Sequence, residues 1–394
     1  MSILYNISIQ LYVVAIYIAS LFNAKAKFWV KGRKDIFQKL AEAIKGEHNI
    51  VWFHCASLGE FEQGKPIIES YKQKYPGHKI LLTFFSPSGF KIRKNYKGAD
   101  WIFYLPADTK ENAKRFIEIV KPIKVIFVKY EFWFNYITEL SRKNIPFYSV
   151  STIFRKEQSF FKYNWFAKQL QHVTHFFVQD KTSADLLKSI GLTNHTISGD
   201  SRFDSVLSTT QNPKSFPLIK QFCKTKPTII CGSTWLKDET LLSQFIKENH
   251  QYNYIIAPHE MHHISHLQKQ TGAQLFSTSN TENINSNNVL IIDSIGILSS
   301  IYQYANIAYI GGGFCSGIHN ILEAVTFGLP VIFGPNYQKF NEATKLIALG
   351  AAKSISNYTE LTLAIDSFAN FDQKIATNYI KNSSGATEKI LESL

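Results

Sequence analysis

Residues 307–325 read IAYIGGGFCSGIHNILEAV. Four apolar, strand-prone residues run into three glycines, a loop of small residues, and then apolar positions at helical spacing. A buried strand turning sharply into a helix is the repeating unit of an α/β sheet. Glycine there lets another backbone approach closely, and amides opening the next helix can receive an anion such as a phosphate. The spacing matches neither G-x-G-x-x-G nor a Walker Gly-Lys-Ser/Thr run. A plain tight turn is the competing reading. Glu323, early in the helix, would reach sugar hydroxyls.

The same alternation of strand, turn and amphipathic helix extends outward in both directions. Strands are expected at 50–54, 79–85, 101–104, 125–129, 146–150, 176–179 and 195–198, with helices between them, as at 109–120 and 182–190. A second series follows at 228–232, 254–257, 289–292, 307–310 and 330–333. Between the two series, LSTTQNPKSFP at 207–217 is polar, carries two prolines and shows no periodicity. The expected layout is an apolar anchor at 1–24, a Rossmann-like domain at 25–207, a linker at 208–217 and a second Rossmann-like domain at 218–394. Parallel sheets of this kind place ligands at the C-terminal ends of their strands, so a central cleft between two facing domains is expected.

The 394 residues suit two domains, and 45% apolar with 14% aromatic residues excludes a disordered chain. Four scattered cysteines, with no Cys-x-x-Cys pair, argue against a disulfide framework or a cysteine-rich zinc site. The net charge of +13 lies wholly in residues 1–207, which hold 30 basic and 17 acidic residues. No helix-turn-helix or RNA-binding signature accompanies it, so no nucleic-acid partner is expected. An anionic membrane surface or substrate fits better. Residues 3–22 (ILYNISIQLYVVAIYIASLF) carry no charge and are followed by Lys25, Lys27, Lys31, Arg33 and Lys34. This reads as an uncleaved anchor, spanning or lying in the interface, with the catalytic body on the cytoplasmic side. A buried first helix is the alternative.

Five segments carry chemistry. In VWFHCASLGE (51–60) a strand ends before Glu60 at a helix start, a place for a general base or merely for a carboxylate complementing the helix dipole. In FVKYEFWF (127–134) Glu131 sits among aromatics at a strand end, costly unless paired with a lysine or used. GDSRFD (199–204) offers Arg202, a fork for phosphate or carboxylate. The glycine segment is the fourth. HEMHH (259–263) has the zinc-peptidase spacing, but Pro258 places His259 in a strand-to-helix loop rather than on a helix. The cluster Lys91, Arg93, Lys94 and Lys97 is either a phosphate-binding patch or a solvated helix face.

Taken in order, the anchor, ASLGE, YLPAD, YEFWFN, SGDSRFD, CGST, APHE, DSIGILSSIY, GGGFCSGIHNILEA and GPNYQKF resemble the 3-deoxy-D-manno-octulosonic acid (Kdo) transferases of lipopolysaccharide synthesis. The resemblance covers nearly the whole chain. It implies the GT-B fold, and transfer of Kdo from CMP-Kdo to a lipid A precursor of the lipid IVA type at the inner membrane. By position, Glu60 falls on the family's base, and Glu131 and Arg202 on two transition-state positions. CMP contacts fall on Pro258 and His259, on Ile295, Gly296 and Ile297, and on Asn320, Ile321, Leu322 and Glu323. Many relatives carry lysine at the position of Arg202, and STIFRK (151–156) departs from the usual Asn-Ala-Arg run. No metal or cofactor is expected, since backbone amides and Arg202 can hold the phosphate and no acidic pair for Mg²⁺ is evident. The competing reading is another GT-B glycosyltransferase, or a nucleotide-sugar epimerase, using a UDP-sugar.

Overall fold

The computed structural model describes residues 2–211 and 213–394; Met1, in the expected anchor, and Asn212, in the expected linker, lie outside the described residues. By packing, the chain forms two compact units, residues 1–205 with 384–394, and residues 206–383.

The first unit holds β1 (Ile50–Cys55), β2 (Lys79–Phe84), β3 (Trp101–Tyr104), β4 (Lys124–Val128), β5 (Phe147–Thr152), β6 (His175–Val178) and β7 (His195–Ile197). They form one parallel sheet in the order β3-β2-β1-β4-β5-β6-β7. Successive strand residues point to opposite faces. Trp52, Phe127 and Phe147 therefore enter one core, while Val51, Phe53, Cys55, Ile126 and Val128 enter the other. Both faces are covered, which is why every residue of β1 is buried.

The second unit contains β8 (Thr228–Thr234), β9 (Asn253–Pro258), β10 (Gln274–Leu275), β11 (Val289–Ile291), β12 (Ile307–Ile310), β13 (Val331–Phe333) and β14 (Ala352–Ser354). Its parallel sheet runs β10-β11-β9-β8-β12-β13-β14. Strand order reverses between β1 and β4 in the first sheet and between β8 and β12 in the second. Those reversals open the crevices where doubly wound sheets receive ligands.

Three features depart from the expected layout. The helix Arg202–Gln211 runs into the expected linker, and the next helix starts at Pro217, which suits a first helical position. The last eleven residues, assigned above to the second domain, pack on the first unit. Asp204 receives the amides of Gly385 (2.6 Å) and Thr387 (2.7 Å), capping the helix Ala386–Glu392, whose Ile390 is fully buried. The N-terminal helix Ser2–Ala19 is apolar enough to cross a membrane, yet it is tethered along one side to the first unit. Tyr5 Oη–H donates to Asp108 (2.5 Å), Asn135 donates to the Asn6 side chain (3.0 Å), and Tyr12 stacks on Phe85. Ile3, Leu4, Ile7, Leu11, Val14 and Ile18 remain exposed.

Candidate active site

Glu60 and Glu131 flank the switch point of the first sheet. β1 ends at Cys55 and the chain enters the helix Leu58–Lys74, whose first turn carries Glu60. The Ser57 hydroxyl donates to Glu60 Oε2, and Lys129 Nζ stands 3.9 Å from Glu60 Oε1. Lys129 leaves β4 with φ +69°, a left-handed conformation that a lysine adopts at a cost. That turn sets Lys129 and Glu131 beside Glu60.

Burial pushes the Glu131 carboxyl up to about 7, and the negative Glu60 adds to the rise. Lys129 and the indole of Trp133 pull in the other direction. Behind them, Trp133 Nε1–H donates to His54 Nε2 (3.3 Å), while His54 Nδ1 faces the carbonyl (3.1 Å) and hydroxyl (2.9 Å) of Thr83. Burial lowers His54 to about 3, so it is neutral, with its proton on Nδ1 toward Thr83. This polar chain, fully buried at His54 and Thr83, holds the Trp133 indole beside Glu131.

Arg202 opens its helix just beyond β7. Its Nε–H and Nη2–H both donate to Asp200 (2.9 and 2.7 Å). Ser201 Oγ–H donates to the Gln63 carbonyl (2.6 Å), tying this turn to the helix that carries Glu60. Ser151, at φ +49°, hydrogen-bonds Ser201 (2.5 Å), so the departing segment STIFRK helps to set the Arg202 turn. In the basic cluster, Arg93 pairs with Glu62 (2.7 Å) and Lys91 sits 3.1 Å over the Phe28 ring, while Lys94 and Lys97 are exposed.

In the second unit the three candidate CMP segments leave the C-terminal ends of β9, β11 and β12, with β8 between β9 and β12. Pro258 closes β9, Ile295–Ile297 follow β11, and residues 320–323 follow β12. Ile295 is 88% exposed, and Gly296 takes φ +93°. Asn320 Nδ2–H donates to Glu323 (3.1 Å). The helix expected after the glycines is a single turn, Leu322–Val325. The glycines themselves make room for the protein's own backbone. A Cβ on Gly311 would lie 2.3 Å from the Ser233 carbonyl, and one on Gly313 would lie 2.5 Å from the Gly334 nitrogen.

Sequence reasoning missed the rings beside that turn. Trp235 stacks on His259 (centroids 4.7 Å apart) and donates its Nε1–H to His319 Nε2 (2.9 Å). Burial, with His259 nearby, lowers His319 to about 4, so it accepts this bond as a neutral ring. The only forewarning was an aromatic residue directly after CGST. His259 is thus in a stack, off any helix, and the zinc-peptidase spacing of HEMHH fails. Glu260, His262 and His263 instead place one ligand atom each within 4.8 Å of one another.

Comparison with known proteins bears on the family and the fold. The sequence profile of the 3-deoxy-D-manno-octulosonic-acid transferase (kdotransferase) family matches residues 31–205. The chain is 29% identical over 351 residues to the 3-deoxy-D-manno-octulosonic acid transferase of Aquifex aeolicus, covering 87% of this chain and 92% of the relative. It is 26% identical to the corresponding Haemophilus influenzae transferase, covering 81% and 79%. Residues 31–205 thus carry the Kdo transferase profile, and similarity to Kdo transferases extends over most of the chain. The chain is a glycosyltransferase of lipopolysaccharide synthesis. Among solved structures, UDP-GlcNAc 2-epimerase from Neisseria meningitidis bound to UDP-GlcNAc superposes with TM-score 0.61 at 14% identity, over 87% of this chain and 98% of that one. Acinetobacter baumannii MurG gives 0.53 at 11%, over 87% and 98%. At such identities these two show the fold alone, and the fold of this chain is GT-B.

Proposed function

We propose that the chain transfers Kdo from CMP-Kdo to a hydroxyl of a lipid A precursor of the lipid IVA type, with Glu60 as general base. The observation that carries this reading is the carboxylate pair at the first sheet's switch point, with Lys129 held against it. Glu60 takes the acceptor proton as the hydroxyl oxygen attacks the anomeric carbon, and the bond to the CMP phosphate breaks. Protonating Glu60 removes the charge that holds Glu131 up, so Glu131 ionises more readily as positive charge builds on the sugar. Arg202 offsets the negative charge of the departing phosphate.

The second unit takes the donor through Pro258, His259, Ile295, Gly296, Ile297 and residues 320–323. No cofactor enters the scheme. The basic first half and the exposed apolar side of the helix Ser2–Ala19 support action at the cytoplasmic face of the inner membrane. The test is incubation with lipid A precursor and freshly made CMP-Kdo, followed by mass spectrometry. A mass gain of one or more Kdo residues is the expected result. An unmodified glycolipid beside protein that binds CMP would overturn it.

A further inference from the structure

A polar pocket lies in the first unit, with neither Glu60 nor Glu131 in its walls. It has a volume of about 390 Å³, within the range of small-molecule sites (about 300–1,000 Å³), and its walls include Val13, Tyr17, Arg33, Asp35, Asn112 and Arg115. Arg33 is unusual there. Its guanidinium donates Nε–H to the Leu105 carbonyl (2.9 Å), Nη1–H to Trp29 (3.1 Å) and Nη2–H to Phe85 (2.7 Å). Trp29, Phe85 and Tyr104 pack around it, with ring centroids 3.8, 4.9 and 4.8 Å from Cζ. Burial lowers it to about 9, so it stays charged at neutral pH, and its electrostatic neighbours are tyrosines rather than carboxylates. Among the described residues three of its five N–H groups have partners, and the guanidinium has two more to donate.

Buried cations are costly unless matched by an anion. Arg115, exposed at the mouth and seated on Phe37, adds a second charge, which Asp35 only partly offsets. The position matters as much as the charge. Phe85 and Leu105 follow β2 and β3, on the same sheet edge from which Glu60 emerges after β1. Strands lie about 4.8 Å apart, so the pocket stands about 10 Å along that edge. One wall belongs to the N-terminal helix, and its neighbours Leu11, Val14 and Ile18 face outward, exposed.

We propose that this pocket binds the phosphate headgroup of an acylated lipid, Arg33 and Arg115 donating to the phosphate while the acyl chains leave along the exposed side of the N-terminal helix. If the lipid is the sugar acceptor, this rests on the proposed transfer reaction; the phosphate site itself does not.

The test titrates the full chain in mild detergent with monomeric dihexanoyl phosphatidic acid, followed by tryptophan emission, since Trp29 packs on Arg33. Saturable binding is expected, at least tenfold weaker for dihexanoyl phosphatidylcholine and for Arg115→Glu, an exposed position whose change leaves the melting temperature intact. Arg33→Lys keeps the charge but loses the fork, and weakens binding as well. Equal affinity for the two lipids, or for wild type and Arg115→Glu, would overturn the proposal. Turnover separates the sources. A raised KM for phosphorylated acceptor at unchanged kcat in Arg115→Glu assigns the site to the acceptor. An unchanged KM with weakened sedimentation onto phosphatidic acid vesicles assigns it to bulk lipid, and supports the phosphate site equally. Phosphatidic acid binding by a wild-type protein that transfers no Kdo would sink the transfer reaction and leave the pocket standing.

Discussion

Glu131 titrates between opposing neighbours, and that makes the pair at the switch point open to measurement. Glu60 raises it and Lys129 lowers it, on top of the rise from burial. Replacing Glu60 with Gln removes one negative charge, so the Glu131 pKa should fall below about 7. Carboxyl-carbon NMR across a pH series reads this directly, and an unmoved titration would mean the two groups are not coupled. The same variant should lose turnover by about 10²–10⁴-fold, the usual worth of general-base catalysis, while CMP still raises its melting temperature. Asp108 shows the same chemistry in a structural role. Burial raises it to about 6, against hydrogen bonds from Tyr5 and the amides of Asn135 and Tyr136. Its folded pKa exceeds the unfolded value near 4, so its contribution is fully present below that value and is lost as pH rises through 6. Tyr5→Phe removes a bond to this carboxyl and should cost about 1.5–3 kcal/mol in a denaturant melt at pH 7. No change would mean that the N-terminal helix does not depend on that tether.

At the scale of elements, the glycine turn gives the sharpest expectation. Gly311→Ala would drive a Cβ into the backbone of β8, where no side chain can yield. Overpacking of this kind costs about 1–3 kcal/mol, occasionally more, so the melting temperature should drop clearly. An unchanged melt would mean that β8 and β12 can part locally. The long buried strands were legible because apolar runs such as VWF and IAYI, bounded by turns, have few other readings. β10 and β14 were not, being two and three residues long and defined by their neighbours rather than by any pattern of their own. The carboxylates Glu60 and Glu131 stood out because charge at the end of a buried strand is conspicuous. Lys129 was hidden in plain view, because its left-handed backbone, not its identity, brings it to Glu60. Trp235 and His319 are 84 residues apart, and a stacking pair at that separation leaves no periodic trace.

For the whole molecule, charge and the N-terminal helix act together. Deleting residues 1–24 should impair use of vesicle-embedded acceptor more than detergent-dispersed acceptor, with CMP binding intact. Each basic residue near an anionic leaflet contributes about 1 kcal/mol, and salt screens it within about 8 Å, so raising ionic strength should mimic part of the loss. Equal vesicle activity for the truncation would make the helix a packed element and nothing more. A melt with CMP, UMP and UDP tests the donor unit in the same way, and stabilisation by UDP alone would favour a UDP-sugar. The C-terminal helix also sets an order of manufacture. The helix Ala386–Glu392 covers the first unit, yet it is synthesised after the whole of residues 206–383. At about 5–20 residues per second, the ribosome needs roughly 10–35 s to cross that interval. Throughout it, Asp204 waits without Gly385 and Thr387, and the apolar surface that later takes Ile390 stays bare on the nascent chain. The first unit to emerge is therefore the last to be finished.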